Sequence, residues 1–393
     1  MTKNLKILLV ASHHLIRAGG AVQMSRLATG LKKKGHQVWC AFNWKGNEIT
    51  PGLGTFTPLI EEKIPIYSFR MQRLPKYLHY LKFRRFVREH GFEVIEAHRF
   101  RALQFVLRST AGMKLPALIG NKKNSYSLDR EMVRAYASPR IDRIIVNAKV
   151  IKDILMREAG VKQEKISIVY NGVERARFHP GVSGNGIRKE FGLERETPLV
   201  GMIANFTSKK THHIFFEAAL GVVKKKPEVK FMLVGHGEYQ QYQSLVKARG
   251  AAGNFIFTGF RQDIPEIIAS LDLSVISSSK GEGLTGSLVE SMVMAKPVIS
   301  TDVAGNTEVV IDRETGLLVP AGSEQRLEEA MLFMLTHPDQ AKEMGIRGYE
   351  FIKDKVSNDK RIARIEEIYY QVLQEKQLMG DGRSGMGIKE LRN

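Results

Sequence analysis

The sequence predicts an α/β protein built as two Rossmann-like, doubly wound domains that face each other across a cleft. Three observations carry that prediction. The 393 residues exceed what one ordinary core accommodates. Short, continuously apolar strand candidates alternate with helical stretches, the pattern of a parallel sheet covered on both faces. That alternation runs twice, breaking once near Asn171 at NGVERARFHPG and resuming near Pro198.

The first series of strand candidates is KILLV (6–10), QVWCAF (37–42), VIEA (94–97), ALIG (117–120), RIIVN (143–147) and SIVY (167–170). Between the first two, a helix over Val22 to Lys34 ends at Gly35, a common C-terminal stop. The second series is LVGMIAN (199–205), KFMLVG (230–235), NFIFTG (254–259), LSVISS (273–278), PVISTD (297–302) and GLLVP (316–320). A last helical stretch, Asp359 to Glu375, spaces Ile362, Ile365, Ile368, Tyr369 and Val372 for docking on a domain surface. The expected division is an N-terminal domain over 1–171, a linker over 172–197 and a second domain over 198–355. Residues 356–393 then form a helix packing back toward the N-terminal domain, and a tail that contains GDGRSGMG.

Hydrophobic content of 43% and charged content of 26% are those of a soluble globular chain. Cys40 is the only cysteine, which excludes an intramolecular disulfide and a Cys-based metal site and points to a reducing compartment. In MTKNLKILLVASHH, Lys3 and Lys6 precede an apolar run, but the run from Ile7 to Ala11 is too short for a signal-peptide core. No segment approaches the roughly 18 apolar residues of a spanning helix. The expected location is the cytoplasm, with a peripheral position on the inner face of the membrane left open.

The formal charge of +19 is concentrated: Met71 to Arg140 holds fifteen Lys and Arg against five Asp and Glu. Such a field attracts polyanions, whether nucleic acid, anionic lipid or phosphorylated small molecules. A nucleic-acid partner is not expected, because no recognised binding motif is present and aromatics do not interleave a basic strand face. A dinucleotide-dependent dehydrogenase is also disfavoured, since GHG at 235–237 runs on into EYQQ without a third glycine.

The chemistry concentrates in KGEGLTGSLVESMVMAKPVIS (280–300). A strand ends at Ser277-Ser278-Ser279, a Gly-rich turn comes next, and a helix runs from about Leu288 to Met294. The first amides of that helix lack internal partners and carry the positive end of its dipole, so they suit phosphate oxygens. Gly281, Gly283 and Gly286 would let a ligand approach the backbone. Ser287-Leu-Val-Glu290 also reads as a capping box, a purely structural role for Glu290. Glu282, eight residues earlier across the glycine turn, favours the other reading: two carboxylates gripping vicinal hydroxyls of a ligand that carries two sugars.

The stretch from Glu282 to Glu290 resembles the glutamate, seven residues, glutamate motif of the retaining GT-B glycosyltransferases of family 4, the glycosyl transferases group 1. STDVAGNTEVVIDRETGLLVPAG (300–322), the GG turn after the first strand, GHQV, NGVERARF and VGHGE fall in that family's order. The resemblance implies a GT-B fold and transfer of a sugar from a nucleotide-diphosphate sugar. It assigns the ribose hydroxyls to Glu290 and those of the donor sugar to Glu282. The backbone from Gly283 and Leu284 through Thr285, Gly286, Ser287 and Leu288 would face the diphosphate and sugar, with Gly19 and Gly20 approaching from the N-terminal domain. In IANFTSKKTHH (203–213), Lys210 matches the lysine that neutralises the leaving diphosphate. The family often has arginine at Asn205 and glycine at Thr211, and Lys209 is placed to compensate. The nucleotide base is expected near Gly259, Phe260 and Arg261.

On the acceptor side the resemblance offers two candidates. His98 matches a frequent family histidine, and Lys122 stands where many members carry a catalytic one, with Lys123 beside it. Either could face the acceptor, and the lysines could instead bind an acidic acceptor group. No carboxylate is placed as the nucleophile of a double displacement. The family's usual route is same-face attack in which the leaving phosphate takes the acceptor proton. Asp-x-Asp occurs nowhere, so metal independence is expected.

Residues 73–90, RLPKYLHYLKFRRFVREH, combine Leu74, Tyr77, Leu78, Leu81 and Phe86 with six Lys or Arg. Such spacing serves core packing with a solvated basic face, or a helix resting on an anionic bilayer. The second reading accords with a glycan or lipid-linked, cell-envelope acceptor such as a lipopolysaccharide precursor. A sugar-nucleotide epimerase of the same shape is the alternative, and it lacks the Glu282/Glu290 arrangement.

Overall fold

The computed structural model describes residues 3–12, 19–43, 57–69, 71 and 76–380. His13 and His14, the start of the basic stretch with Arg73 and Leu74, and the tail beyond Gly380 lie outside the described residues.

Two all-parallel sheets organise the chain. The first holds β1 (Lys6–Ala11), β2 (Gln37–Phe42), β3 (Ile66–Ser68), β4 (Val94–His98), β5 (Ala117–Lys122), β6 (Arg143–Val146) and β7 (Ile166–Ile168), in the spatial order β3-β2-β1-β4-β5-β6-β7. The second holds β8 (Leu199–Ile203), β9 (Lys230–Val234), β10 (Phe255–Gly259), β11 (Leu273–Ile276), β12 (Val298–Thr301) and β13 (Leu317–Val319), in the order β10-β9-β8-β11-β12-β13. Every expected strand is present. Only β3 went unpredicted, a half-exposed three-residue edge strand too short to leave a pattern. Strand order reverses once in each sheet, between β1 and β4 and between β8 and β11. Ligands of doubly wound sheets bind outside the carboxyl ends of strands at such a reversal.

Burial explains the strands. Ile7 to Val10 of KILLV and Val94, Ile95 and Ala97 of VIEA are buried because helices cover both faces of their sheet; Lys6 is exposed, and Glu96 is a buried charged exception. On one face lie the helices Lys76–His90 and Phe100–Ser109, contributing Phe83, Phe86 and Phe105. On the other lie Gly19–Lys33 and the final helix Asn358–Gly380, which buries Ile362, Ile365, Ile368, Tyr369 and Val372 against the N-terminal sheet. Each such side chain contributes about 1.5–3 kcal/mol of apolar burial. These two helices cross closely at Gly30, where a Cβ would overlap Ile362.

The chain crosses between the sheets twice, and the crossings pair. Val173 donates its amide to Val356 at 2.7 Å, and Asn358 donates to Val173 at 3.1 Å. Residues 172–197 are not a free linker: the helix Asn185–Glu190 sits within them and buries Ile187 among Leu199, Met232 and Ile267 of the second domain. Among the described residues no helix is long and apolar enough to cross a membrane.

The helix Lys76–His90 divides its apolar residues. Phe83, Phe86 and Val87 enter the core, whereas Tyr77, Leu78 and Leu81 are 77%, 57% and 62% exposed. Lys82, Arg85 and Arg88 continue that outward face.

Candidate functional site

The loop after β8 makes a tight turn at Ser208–Lys210 before the helix His212–Lys225. It presents Lys210 to Glu282, in the loop after β11, at 3.0 Å, with Lys209 at 3.4 Å from the same oxygen. Burial opposes ionisation of Glu282, and the ammonium groups of Lys210 and Lys209 outweigh it, holding the carboxyl below its ordinary range. Burial likewise pulls the Lys210 ammonium below its ordinary value, with Glu282 opposing. The β8/β11 reversal therefore holds a buried ion pair with a second cation in reserve.

Thr211 sits where the family often has glycine, and its backbone shows why: φ is 44° and ψ 49°. A β-branched residue is strained there. Its hydroxyl donates to the Ser277 carbonyl, while Ser277 Oγ donates to the Lys210 carbonyl at 2.9 Å. The Ser279 amide donates to the Lys209 carbonyl at 3.0 Å. The lysine turn is thus stitched to the end of β11. Asn205, in place of the family's arginine, accepts the His236 amide at 3.0 Å and shapes the loop.

The glycine turn meets the N-terminal domain directly. Gly281, at φ 74°, lies against the Tyr126 ring, and Gly283 against the Asn147 amide, so a Cβ at either would overlap. Asn171 Nδ2 donates to the Leu284 carbonyl at 3.2 Å. The next helix runs Gly286–Val293 with Thr285 as its N-cap. The first return bond is from the Val289 amide to the Thr285 carbonyl, so the amides of Gly286, Ser287 and Leu288 precede it. The Thr285 amide is taken by Asn306 Oδ1 at 3.3 Å, which narrows the predicted diphosphate-facing set. The Leu288 side chain is core, leaving only its backbone for a ligand. Over Gly286 there is room, since a Cβ there meets no atom within 4 Å.

The capping box does not form. Ser287 lies inside the helix, and no side chain caps it. Glu290 instead faces the N-terminal domain, 3.7 Å from Arg26 Nη1. Burial pushes its carboxyl up, Arg26 and Arg177 oppose, and Glu174 adds to the rise.

Of the predicted base-side residues, Gly259 adopts φ 68° and Phe260 is 38% exposed. The Arg261 guanidinium is already held, by Glu190 at 2.6 and 2.8 Å and by Asp263 at 2.6 and 2.9 Å. It is a fastener of its own domain.

On the opposite bank, Gly19 and Gly20 open the helix after β1. His98, at the end of β4, is 3% exposed and its Nε2 lies 3.1 Å from Glu96 Oε1. Glu96 also accepts from Asn121 Nδ2 at 2.7 Å and from the Tyr369 hydroxyl of the final helix. Lys122 does not reach this group. Its ammonium donates to Asn124 Oδ1 and the Tyr126 carbonyl, both at 2.9 Å, and so supports the loop that packs on Gly281. Lys123, the first residue past β5, feels the charges of Glu96 and Arg361 instead. Burial brings Lys123 down to about 7, helped by the Arg361 charge and opposed by Glu96. Burial also lowers Arg361, to about 10.

Sequence reasoning missed Arg26, Tyr126, Asn147, Asn306 and Arg361, and read Tyr369 only as an apolar docking position. Asn306 stood within the recognised 300–322 run. The others lie in segments whose apolar pattern reports only secondary structure. Among the described residues no three His, Cys, Asp or Glu side chains are grouped to hold a metal.

The chain is similar to known glycosyltransferases along most of its length. Residues 17–177 match the model described as Glycosyltransferase Family 4, and residues 185–351 the model of Glycosyl transferases group 1. A putative glycosyltransferase of Bacillus subtilis, EpsD, is 28% identical over 196 residues, covering 49% of this chain and 51% of EpsD. An Escherichia coli UDP-Gal:alpha-D-GlcNAc-diphosphoundecaprenol alpha-1,3-galactosyltransferase is 25% identical over 275 residues, covering 66% of this chain and 68% of that protein. The chain thus spans about half the length of EpsD and two thirds of the second relative. Among solved structures, Anabaena HepE in complex with UDP-glucose superposes with a TM-score of 0.81 at 20% identity, covering 93% of this chain and all of that one.

Proposed function

Because the chain belongs to the glycosyl transferases group 1 family, we propose that it moves a sugar from a nucleotide-diphosphate sugar to an acceptor with retention at the anomeric carbon. The observation that carries this reading is the Lys210–Glu282 pair at 3.0 Å. It sits at the β8/β11 reversal beside the free amides that start the helix Gly286–Val293. Lys210 and those amides receive the diphosphate and stabilise the charge that develops as the glycosidic bond breaks. Glu282 accepts hydroxyls of the transferred sugar and Glu290 those of the ribose. The acceptor hydroxyl attacks from the face the diphosphate leaves, and a phosphate oxygen takes its proton. The cationic cradle performs the neutralisation that a divalent metal performs elsewhere, so the reaction proceeds in chelator.

The acceptor is a lipid-linked or cell-envelope glycan, on the cytoplasmic face of a membrane. Two observations support this. The Escherichia coli relative acts, by its name, on a diphosphoundecaprenol-linked sugar. The helix Lys76–His90 turns Tyr77, Leu78 and Leu81 outward beside Lys82, Arg85 and Arg88, the pairing an anionic bilayer surface attracts. Charge reversal at Lys82, Arg85 and Arg88 should abolish sedimentation with anionic liposomes, and unchanged sedimentation would remove the membrane from the account. Arg84 is left out because it donates to the Ala111 carbonyl.

A thermal-shift panel of UDP, GDP, ADP and their glucose conjugates tests the donor class. The matching ligand at 100 times its dissociation constant adds about 2.7 kcal/mol of stability. A panel in which no nucleotide raises the melting temperature would contradict the reading.

A further inference from the structure

The helix Gly19–Lys33 reaches toward the second domain through side chains one turn apart. Gln23 clamps Gly172 in both directions: its Nε2 donates to the carbonyl at 2.9 Å and its Oε1 accepts the amide at 3.2 Å. Arg26, 8% exposed, donates from Nη1 to the same carbonyl at 3.3 Å. That Nη1 is also 3.7 Å from Glu290 Oε1, and Nε is 3.4 Å from Glu174 Oε2. Gly172 belongs to the paired crossing between the domains and has no slack, since a Cβ there would fall 2.7 Å from the Asn358 backbone. The contacts to diphosphate, sugar and base make no use of Arg26.

We propose that Arg26 is a positioning residue for donor binding, holding the Glu290 carboxylate charged and aimed at the ribose while joining it to the interdomain crossing at Gly172. The proposal rests on the reading that Glu290 receives the ribose hydroxyls. A carboxylate offers acceptors alone only while ionised; once protonated it gives up part of that capacity. Burial drives Glu290 toward the neutral form, and the charged groups that face it are Arg26 from the first domain and Glu174 and Arg177 from the segment after the crossing. Arg26 heads the two cations that oppose protonation there. Its planar fork spans three acceptors at once, which fixes direction as well as charge. A lysine would supply the charge without that span.

The test is calorimetric titration of the full chain with whichever of UDP-glucose, GDP-glucose or ADP-glucose stabilises it, between pH 5.5 and 8.5. Those diphosphate diesters keep one charge state over the range. Arg26→Gln should weaken binding by up to about tenfold at pH 5.5, the factor that one unit of carboxyl pKa is worth where the carboxyl is largely protonated in both proteins, and by less at pH 7. The loss should grow toward pH 5.5 and shrink toward pH 8.5, because Glu290 now takes up its proton at higher pH. Arg26→Lys should fall between wild type and Arg26→Gln in both affinity and slope, and it carries the test if the glutamine variant does not fold. Glu290→Gln should weaken binding at every pH, and adding Arg26→Gln to it should cost nothing more. A loss on changing Arg26 that is flat with pH and persists in the Glu290→Gln background overturns the proposal. Full affinity in Glu290→Gln overturns the ribose assignment instead, whatever Arg26 does.

Discussion

On the C-terminal bank of the cleft, Lys210, Glu282 and the amides of Gly286 to Leu288 come from two loops of one sheet. On the N-terminal bank, Glu96, His98 and Asn121 depend on Tyr369, whose hydroxyl reaches Glu96 across 273 residues of chain. The first bank is built from two short motifs, SKK at 208–210 and the run from Glu282 to Glu290, with its cations and carboxylate paired beside the helix start. The second is a buried polar network in which a helix from the far end of the chain completes the site. Two banks built so differently should fail differently. Damage to the first should cost chemistry at little cost in folding, and damage to the second should cost stability while leaving the nucleotide bound.

The largest effect expected is from Lys210→Ala. Removing one preorganised cation from a site of developing charge costs about 10²–10³ in turnover. Lys209, at 3.4 Å, still compensates Glu282, so the fold should hold. Initial rates at saturating donor, with a melting curve beside them, check both halves; full turnover would remove Lys210 from the chemistry.

Glu96→Ala sits on the other bank. It leaves the Tyr369 hydroxyl and Asn121 amide without their acceptor and the buried Arg361 without the negative charge that most favours its ionisation. Breaking such a buried arrangement costs about 3–5 kcal/mol. Urea unfolding should show that loss, while calorimetry should find nucleotide affinity unchanged. Equal damage to nucleotide binding would erase the contrast between the banks.

Lys123 gives the comparison a pH signature. Its folded value near 7 lies below the ordinary 10.5, so above pH 7 the unfolded chain binds the extra proton. Stability therefore rises with pH between about 7 and 10.5, and burying the lysine costs most below that window. Lys123→Met should stabilise the protein at pH 6.5 by about 3 kcal/mol more than at pH 9.5. Melting curves at the two pH values decide it, and a gain independent of pH would show the ammonium is not held in the network.

The smallest effect concerns Thr211. Glycine relieves a left-handed β-branched residue, worth about 1–3 kcal/mol, and forfeits a hydrogen bond worth about 0.5–1.5. Thr211→Gly should be stabilising by about 1 kcal/mol, and Thr211→Val destabilising by about the same. Denaturant midpoints of both variants test this, and a destabilised glycine variant would show that the stitch to Ser277 outweighs the strain.

The same contrast accounts for what could be read from sequence. Strands such as QVWCAF and VIEA were legible because each is buried on both faces and carries its apolar residues contiguously. Glu282, Lys210 and the glycine turn were legible because backbone geometry forces ligand-facing residues into short spans around a helix start. Arg26, Arg361 and Tyr369 were not, because helical spacing reports which face is buried and is silent about a charged or hydroxyl group buried on that face. Lys122 and Lys123 were not separable in sequence, because β5 ends between them and one residue decides which meets the network. The hold on Arg261 was not legible because its partner Glu190 lies 71 residues away.

The central claim is that the turn at Lys210 and the start of the helix Gly286–Val293 grip the diphosphate of an activated sugar. A crystal structure of the chain with the nucleotide sugar that stabilises it tests this directly. The account predicts phosphate oxygens within hydrogen-bonding distance of Lys210 Nζ and the Gly286 to Leu288 amides, with sugar hydroxyls on Glu282 and ribose on Glu290. A diphosphate bound away from the β8/β11 reversal, or one that leaves the Lys210–Glu282 pair untouched, would contradict it.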